Sequence, residues 1–424
     1  MVHELGVSLL IGSVLMAFGQ DSPGEGRPAP ACISVAEPSR RLELADGRIV
    51  SIDVQSVTRA GESVVAVGRY AYVFPRSASS TTSPALVDSI IGVRIDRGGA
   101  GRITLLANPA APRRVLYSRA VAMPNGEVSV LYATHDPEGL RAHTDTATLW
   151  LATLRHTSWG TPSRVAMART ATLDRASALI HRDGQLAFAY PFRDDRRHVE
   201  DGGLVLLRRR HGRWSVDTLR TETEPTSVSA VYDPVRGSIV VILAVAERFP
   251  PFLSQRLLIA RFDTSWSVPV PIAGDGITPI VHPTLAVHNR GLAAAWLAWP
   301  GHDPRNGLLQ WLQIDATGRA NLRSVIDSGE ATFPYEFTVL NDIPLWLYHG
   351  EPFGAVKLMM SRDSTVARLP DVKAEFGNPS TRTIALSGTR LLVFTQQRAR
   401  AETEPMAASF TTALEIRCPR SAQR

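Results

Sequence analysis

Residues 283–319, PTLAVHNRGLAAAWLAWPGHDPRNGLLQWLQIDATGR, decide the fold. The segment opens on a moderately apolar run, turns at Asn289-Arg290-Gly291, and continues into the strongly apolar GLAAAWLAW. A polar loop then leads to the alternating run NGLLQWLQID and a further turn. Alternation at period two marks a strand with one covered face, and a short apolar run bounded by turn residues reads as a strand covered on both. Neither pattern carries the 3.6 period of an amphipathic helix.

The same unit recurs along nearly the whole chain. Its strongly apolar second run reads SVVAVGRYAYV from Ser63, EVSVLYATH from Glu127, QLAFAYPF from Gln185 and SIVVILAVA from Ser238. It continues as GLAAAWLAW from Gly291, IPLWLYHG from Ile343 and RLLVFTQQ from Arg390. Third runs follow, such as TATLWLATLRH from Thr146 and QRLLIARFD from Gln255, and fourth strands are expected to open at Trp159, Trp214 and Trp266. Four short strands in a unit of about 50 residues are the pattern of a β-propeller blade. Stacked sandwiches would need about seven strands per domain of about 100 residues.

Seven units predict a seven-bladed, all-β propeller with four antiparallel strands per blade, formed by residues 33–418. The seventh unit offers strands at 380–386, 390–396 and 408–417 and then lacks a fourth, which the segment 33–44 is expected to supply.

The termini carry their own signals. Residues 5–18, LGVSLLIGSVLMAF, have the length of a signal-peptide core, with small residues at Ala17 and Gly19 for cleavage. Residues 1–19 are therefore expected to be a signal peptide, 20–32 a Pro/Gly-rich leader and 419–424 a frayed tail, with the protein secreted or periplasmic. The two cysteines, Cys32 and Cys418, bracket the propeller. An even count in an exported chain invites a disulfide between them, two unpaired buried thiols being the other reading.

Composition narrows the function classes. Of 424 residues, 44% are hydrophobic and 20% charged, which excludes a disordered chain. Past the first 20 residues no apolar run approaches the roughly 20 needed to span a bilayer. The net charge of +6 comes from arginines scattered along the chain, with only two lysines, Lys357 and Lys373; this is no phosphate-binding stripe, and no nucleic-acid partner is expected. A monomer is expected, with no cofactor and no metal.

The unit quoted above, with fragments of a turn motif, resembles the sialidase-like propellers that carry Asp-box (BNR) repeats. The fragments are Asp263-Thr264-Ser265-Trp266, His211-Gly212-Arg213-Trp214, Thr157-Ser158-Trp159, Asp315-Ala316-Thr317-Gly318 and Ser361-Arg362-Asp363. The resemblance implies a structural role for these turns, the Trp packing between blades. It also implies a six-bladed ring as the alternative. The family's enzymes place three arginines on a carboxylate beside a Tyr–Glu pair; Tyr335 and Glu336, with Arg119, Arg175 and Arg382, are the positions here that could answer to them, and the Arg-Ile-Pro motif is absent.

Chemistry is expected in the loops joining second to third strands. Five of the 11 histidines, His135, His143, His198, His302 and His349, fall in four such loops. Beside them lie Asp136, Asp195, Arg196, Asp303, Arg305 and Glu351. This mixture suits hydrogen bonding and charge for a glycan or another polar extracellular ligand, or acid–base chemistry on a glycoside; loops are also polar simply because they are wet. Tyr72, Tyr132, Tyr190, Trp299 and Tyr348, which end second strands, could stack on sugar rings or pack between blades. A scaffold that presents its rim to protein partners is the third reading.

Overall fold

The computed structural model describes residues 40–75, 85–96, 102–108, 115–135, 146–169, 177–181, 185–193, 202–223, 225–246, 255–274, 278–288, 291–300, 307–315, 320–328, 332–340, 343–349, 355–360, 366–373, 382–387, 390–398 and 409–417. These residues are all-β, and the strands lie in antiparallel sheets ordered as they follow in the chain. After β1 (Arg40–Glu43), the first sheet runs β2 (Ile49–Ala60), β3 (Ser63–Phe74), β4 (Ala85–Ile95) and β5 (Ile103–Ala107). The second is β6 (Val115–Ala122), β7 (Val128–His135), β8 (Thr146–Leu154) and β9 (Ser163–Arg169). The third is β10 (Ser177–His181), β11 (Gln185–Arg193), β12 (Gly202–Arg210) and β13 (Arg213–Thr221). The fourth is β14 (Pro225–Asp233), β15 (Ser238–Ala246), β16 (Gln255–Phe262) and β17 (Val270–Ala273). The fifth is β18 (Ile280–His288), β19 (Gly291–Ala298), β20 (Leu308–Asp315) and β21 (Ala320–Ser328). The sixth is β22 (Thr332–Leu340), β23 (Ile343–His349), β24 (Ala355–Met360) and β25 (Val366–Lys373). Finally β26 (Arg382–Ser387), β27 (Arg390–Arg398) and β28 (Ser409–Arg417) continue through β1 into β2, because β1 pairs with β28 at Arg40↔Ala413 and with β2 at Leu42↔Val50.

The first strands β2, β6, β10, β14, β18, β22 and β26 each pack against the next, and β26 packs against β2. Sheets arranged radially about their first strands are a β-propeller. Each second strand is a short apolar run because both its faces are covered. Ile239, Val241 and Leu243 of β15 meet Ala187, Leu204 and Leu206 of the third sheet, while Val240, Ile242 and Ala244 meet Leu292, Ala294 and Trp296 of the fifth. Each Ile, Val and Leu among these contributes about 1.5–3 kcal/mol on burial.

The three tryptophans reach backward across these junctions. Trp159 donates from Nε1 to the Leu106 carbonyl of the first sheet at 2.9 Å. Trp214 packs on the cluster holding Tyr117 and Leu131 of the second, and Trp266 on the one holding Ala187 and Leu204 of the third. Only Trp214 lies inside a fourth strand. Trp159 and Trp266 stand ahead of β9 and β17 in single bridges to Leu154 and Phe262.

On β6 and β18 the edge away from the second strand turns amides toward the preceding sheet, and side chains of that sheet accept from several of them. The amides of Ser118, Ala120 and Ala122 on β6 donate to Gln55 Oε1 (2.6 Å), Ser56 Oγ (2.9 Å) and Thr58 Oγ1 (3.0 Å) on β2. Leu285 on β18 donates likewise to Ser229 Oγ on β14 at 2.9 Å. The residues alternate because every second amide points outward from its sheet.

Candidate functional site

In an antiparallel meander the first-to-second and third-to-fourth turns lie at one end of the ring, here the hairpin end. The second-to-third loops and the links between sheets lie at the other, the loop end. Five first strands break register near the loop end: β2 at Ile52/Val54 and Val54/Ser56, β6 at Val115/Tyr117, β14 at Pro225/Ser227, β18 at Val281/Thr284 and β22 at Thr332/Tyr335. β10 pairs without a shift, and β26 shifts only toward its hairpin end. Bulges of this kind re-aim side chains and gather beside binding and catalytic sites.

The bulge in β2 builds the best-defined constellation. It places Asp53 opposite the second strand, where Arg69 Nε donates to Asp53 Oδ2 at 2.5 Å and Arg69 Nη1 to the Leu116 carbonyl at 3.2 Å. Gln55 Nε2 also donates to Asp53 Oδ2, at 3.4 Å, and its Oε1 holds the Ser118 amide. The Asp53 side chain is 14% exposed and that of Arg69 39%. The other carboxylate oxygen of Asp53 has no partner among the described residues. The Arg69 guanidinium lies 5.4 Å from the centre of the Tyr70 ring, which meets Tyr72 edge-on at 5.8 Å. Burial pushes the Tyr70 phenol up from its ordinary value and the Asp53 charge adds to this, with Arg69 opposing. The result is an anchored carboxylate beside two half-buried phenols at the first-to-second sheet junction.

On β18 the bulge holds His282 at a φ of 51°, an exposed residue in the left-handed region directly before Pro283. A non-glycine backbone in that region is strained, and such strain collects at functional positions. Thr284 Oγ1 donates to the His282 carbonyl at 3.3 Å.

Of the positions expected from sequence, His135 and His349 are the last residues of β7 and β23, at the loop end; nothing of their side chains is described. Asp136, His143, Asp195, Arg196, His198, His302, Asp303, Arg305, Glu351, Cys32 and Cys418 lie outside the described residues, as does Arg175. Tyr335 and Glu336 follow the β22 bulge, paired with Tyr348 and Leu347. Arg119 sits on β6, where its Nη1 donates to the Ser118 carbonyl and its guanidinium lies 5.4 Å from the centre of the Tyr117 ring. Arg382 is the first residue of β26.

The expected sugar-stacking aromatics divide. Tyr132 is fully buried and Tyr190 is 7% exposed, so both are packing between sheets rather than stacking platforms. Tyr72 stays half-buried beside Tyr70. Among the described residues no group of three or more His, Cys, Asp or Glu is placed to hold a metal ion, and no helix is long and apolar enough to cross a membrane. Sequence reading missed Asp53, Gln55, Arg69, Tyr70 and His282. Two signals stood in the chain: Gly68 inside an otherwise apolar strand, and Pro283 directly after a histidine at the start of one.

No protein-family model and no curated protein matches this chain. Among solved structures it is similar to an α-L-arabinanase of Penicillium chrysogenum complexed with arabinobiose, at 11% identity and a TM-score of 0.47, covering 72% of this chain and 94% of that one. It is also similar to the polysaccharide lyase Uly1, at 12% identity and a TM-score of 0.49, over 92% and 95% of the two chains. The β-propeller domain of the Trilobed protease from Pyrococcus furiosus is a third, at 11% identity and a TM-score of 0.46, over 85% and 94%.

Proposed function

We propose that this chain is an exported, monomeric, seven-bladed β-propeller of the sialidase-like kind that binds a glycan, or a similarly polar extracellular ligand, at the loop end of the ring. The blade count is supported by first strands that pack in a closed series and by β1, which lies between β28 and β2 and so serves as the fourth strand of the last blade. A Cys32–Cys418 bridge beside that strand belongs to the same reading.

One observation carries the functional part: five first strands bulge at the same end, and the best described of these bulges presents a carboxylate, a guanidinium, an amide and two phenols together. Charged acceptors and donors held by one another, with half-buried aromatic rings beside them, suit the hydroxyls and apolar faces of a sugar. Isothermal titration with a panel of neutral and acidic oligosaccharides tests it. Binding to one class, weakened in Asp53→Asn, is the expected result; no binding across the panel sinks the proposal.

A second reading is a glycan-active enzyme, hydrolase or lyase, working at the same end. Tyr70 favours it, since a phenol within the influence of Asp53 and Arg69 is a group able to pass a proton. Under this reading the oligosaccharides are cleaved, and Tyr70→Phe loses turnover while keeping affinity.

A further inference from the structure

At the hairpin end, between the second and third sheets, lies a cleft of about 420 Å³. It is made by the β6–β7 turn at Met123, by Ser129 of β7, by Gln185 and Leu186 at the start of β11, and by the β12–β13 hairpin tip at Arg209, Arg210 and His211. Among the described residues, none that lines it is acidic.

The sequence dictates this geometry locally. The third-sheet hairpin turns on His211 and Gly212, with φ of 46° and 78°, the backbone of a two-residue turn of the I′ type. That turn carries the two arginines to the rim. Strand alternation separates the run of three: Arg208 faces the fourth sheet, held by two bonds to Asp217 Oδ2 (2.9 and 2.7 Å) and stacked 4.4 Å from the Phe262 ring centre. Arg209 sits opposite Trp214 and two residues beyond Leu207, both of which pack on the second-sheet cluster, so it faces the cleft. Unlike Arg208, neither Arg209 nor Arg210 has an ion-pair partner among the described residues. The floor is apolar at Met123 and Leu186, and Gln185 and Ser129 offer hydrogen bonds.

We infer that this cleft is a second binding site, for a small organic anion: a carboxylate or sulfate held by Arg209 and Arg210, a body resting on Met123 and Leu186, and hydroxyls facing Gln185 and Ser129. Guanidinium groups without a carboxylate of their own recognise such oxyanions bidentately. An uronic acid and a sulfated sugar share this chemistry. The site lies at the end of the ring opposite the bulged strands and stands independently of the function proposed there.

The test is titration calorimetry of the full chain with glucuronate, glucose 6-sulfate and neutral glucose as probes. Both anions are expected to bind and glucose not to; the tighter anion identifies the natural group. Arg209→Gln with Arg210→Gln is expected to weaken anion binding at least about tenfold, since two charge-assisted contacts are lost. Gln185→Glu, which leaves the arginines in place, is expected to weaken it as well, while Arg213→Gln outside the cleft leaves it unchanged. Absence of anion binding in the wild type overturns the inference. So does equal binding of glucose, or undiminished affinity in either cleft variant.

Discussion

Gly68 lies directly against the backbone of Asp53. A Cβ on Gly68 would collide with the Asp53 carbonyl oxygen and stand 2.6 Å from Cγ1 of Ile52. The absence of that side chain is what lets the β2 bulge fold onto β3, where the ladder passes from Val54 with Gly68 to Ile52 with Ala71. Gly68→Ala is therefore expected to destabilise the protein by about 1–3 kcal/mol, as overpacking of a fixed backbone does. Chemical denaturation checks it; an unchanged midpoint would mean that the bulge relaxes freely.

Asp53→Asn leaves Arg69 half-buried without its carboxylate. Arg69 keeps its bond to the Leu116 carbonyl, so the fold is expected to persist, with oligosaccharide affinity reduced about tenfold or more. The paired measurement is calorimetry for binding and circular dichroism for structure. A variant that binds like wild type would remove Asp53 from the site.

The hydroxyls of Ser56 and Thr58 each hold one outward amide of β6. Replacing either by Ala leaves a donor in the sheet junction without its acceptor, at a cost of about 1–3 kcal/mol. Amide exchange gives a local readout: the Ala120 amide should exchange faster in Ser56→Ala, and that of Ala122 in Thr58→Ala. Equal rates in variant and wild type would show that these hydroxyls contribute nothing to the junction.

Tyr132 is fully enclosed among Val65, Val67 and Val130, and its hydroxyl has no hydrogen-bond partner among the described residues. Tyr132→Phe is accordingly expected to match or exceed wild-type stability at neutral pH, within about 1 kcal/mol, because a buried unsatisfied hydroxyl is removed and the ring is kept. A drop in melting temperature would reveal a partner for that hydroxyl.

The same burial sets the response to alkali. Burial pushes the Tyr190 phenol up to about 12 and the Tyr132 phenol up more strongly, from an ordinary value near 10. A raised folded-state value means that the folded chain keeps protons the unfolded chain loses. Stability from these groups is thus complete below about pH 10 and falls as the pH climbs through 12. Phenolate absorbance from the two tyrosines should rise together with unfolding, and Tyr132→Phe should shift the alkaline transition upward.

How far the fold was legible depended on what each strand buries. The seven second strands begin at Ser63, Val128, Gln185, Ser238, Gly291, Ile343 and Arg390, within one residue of the runs read from sequence. Cover on both faces forces unbroken apolar runs, and those are visible without structure. Fourth-strand starts were less visible, as Trp159 and Trp266 show. The site was least visible. A bulge is a single-residue change of register, so it alters which residue faces which way without altering composition; Asp53 and His282 read as ordinary members of alternating runs. Loop polarity pointed to His302 and Asp303, because a run of polar residues is conspicuous in a sequence and an anchored carboxylate inside a strand is not.

The side-chain caps on the first strands have a consequence for solubility. An exposed row of amides is a template onto which a strand of another molecule can add, and chains rich in β-structure aggregate through such rows. On β6 that row is already occupied by Gln55, Ser56 and Thr58, and on β18 in part by Ser229. The inner edge of β6 is therefore closed to an incoming chain, and that of β18 partly so. At the outer edges Val216 on β13 and Val270 on β17 stand exposed. A charge introduced at either of those two valines would guard the fold against aggregation without touching the ring's interior.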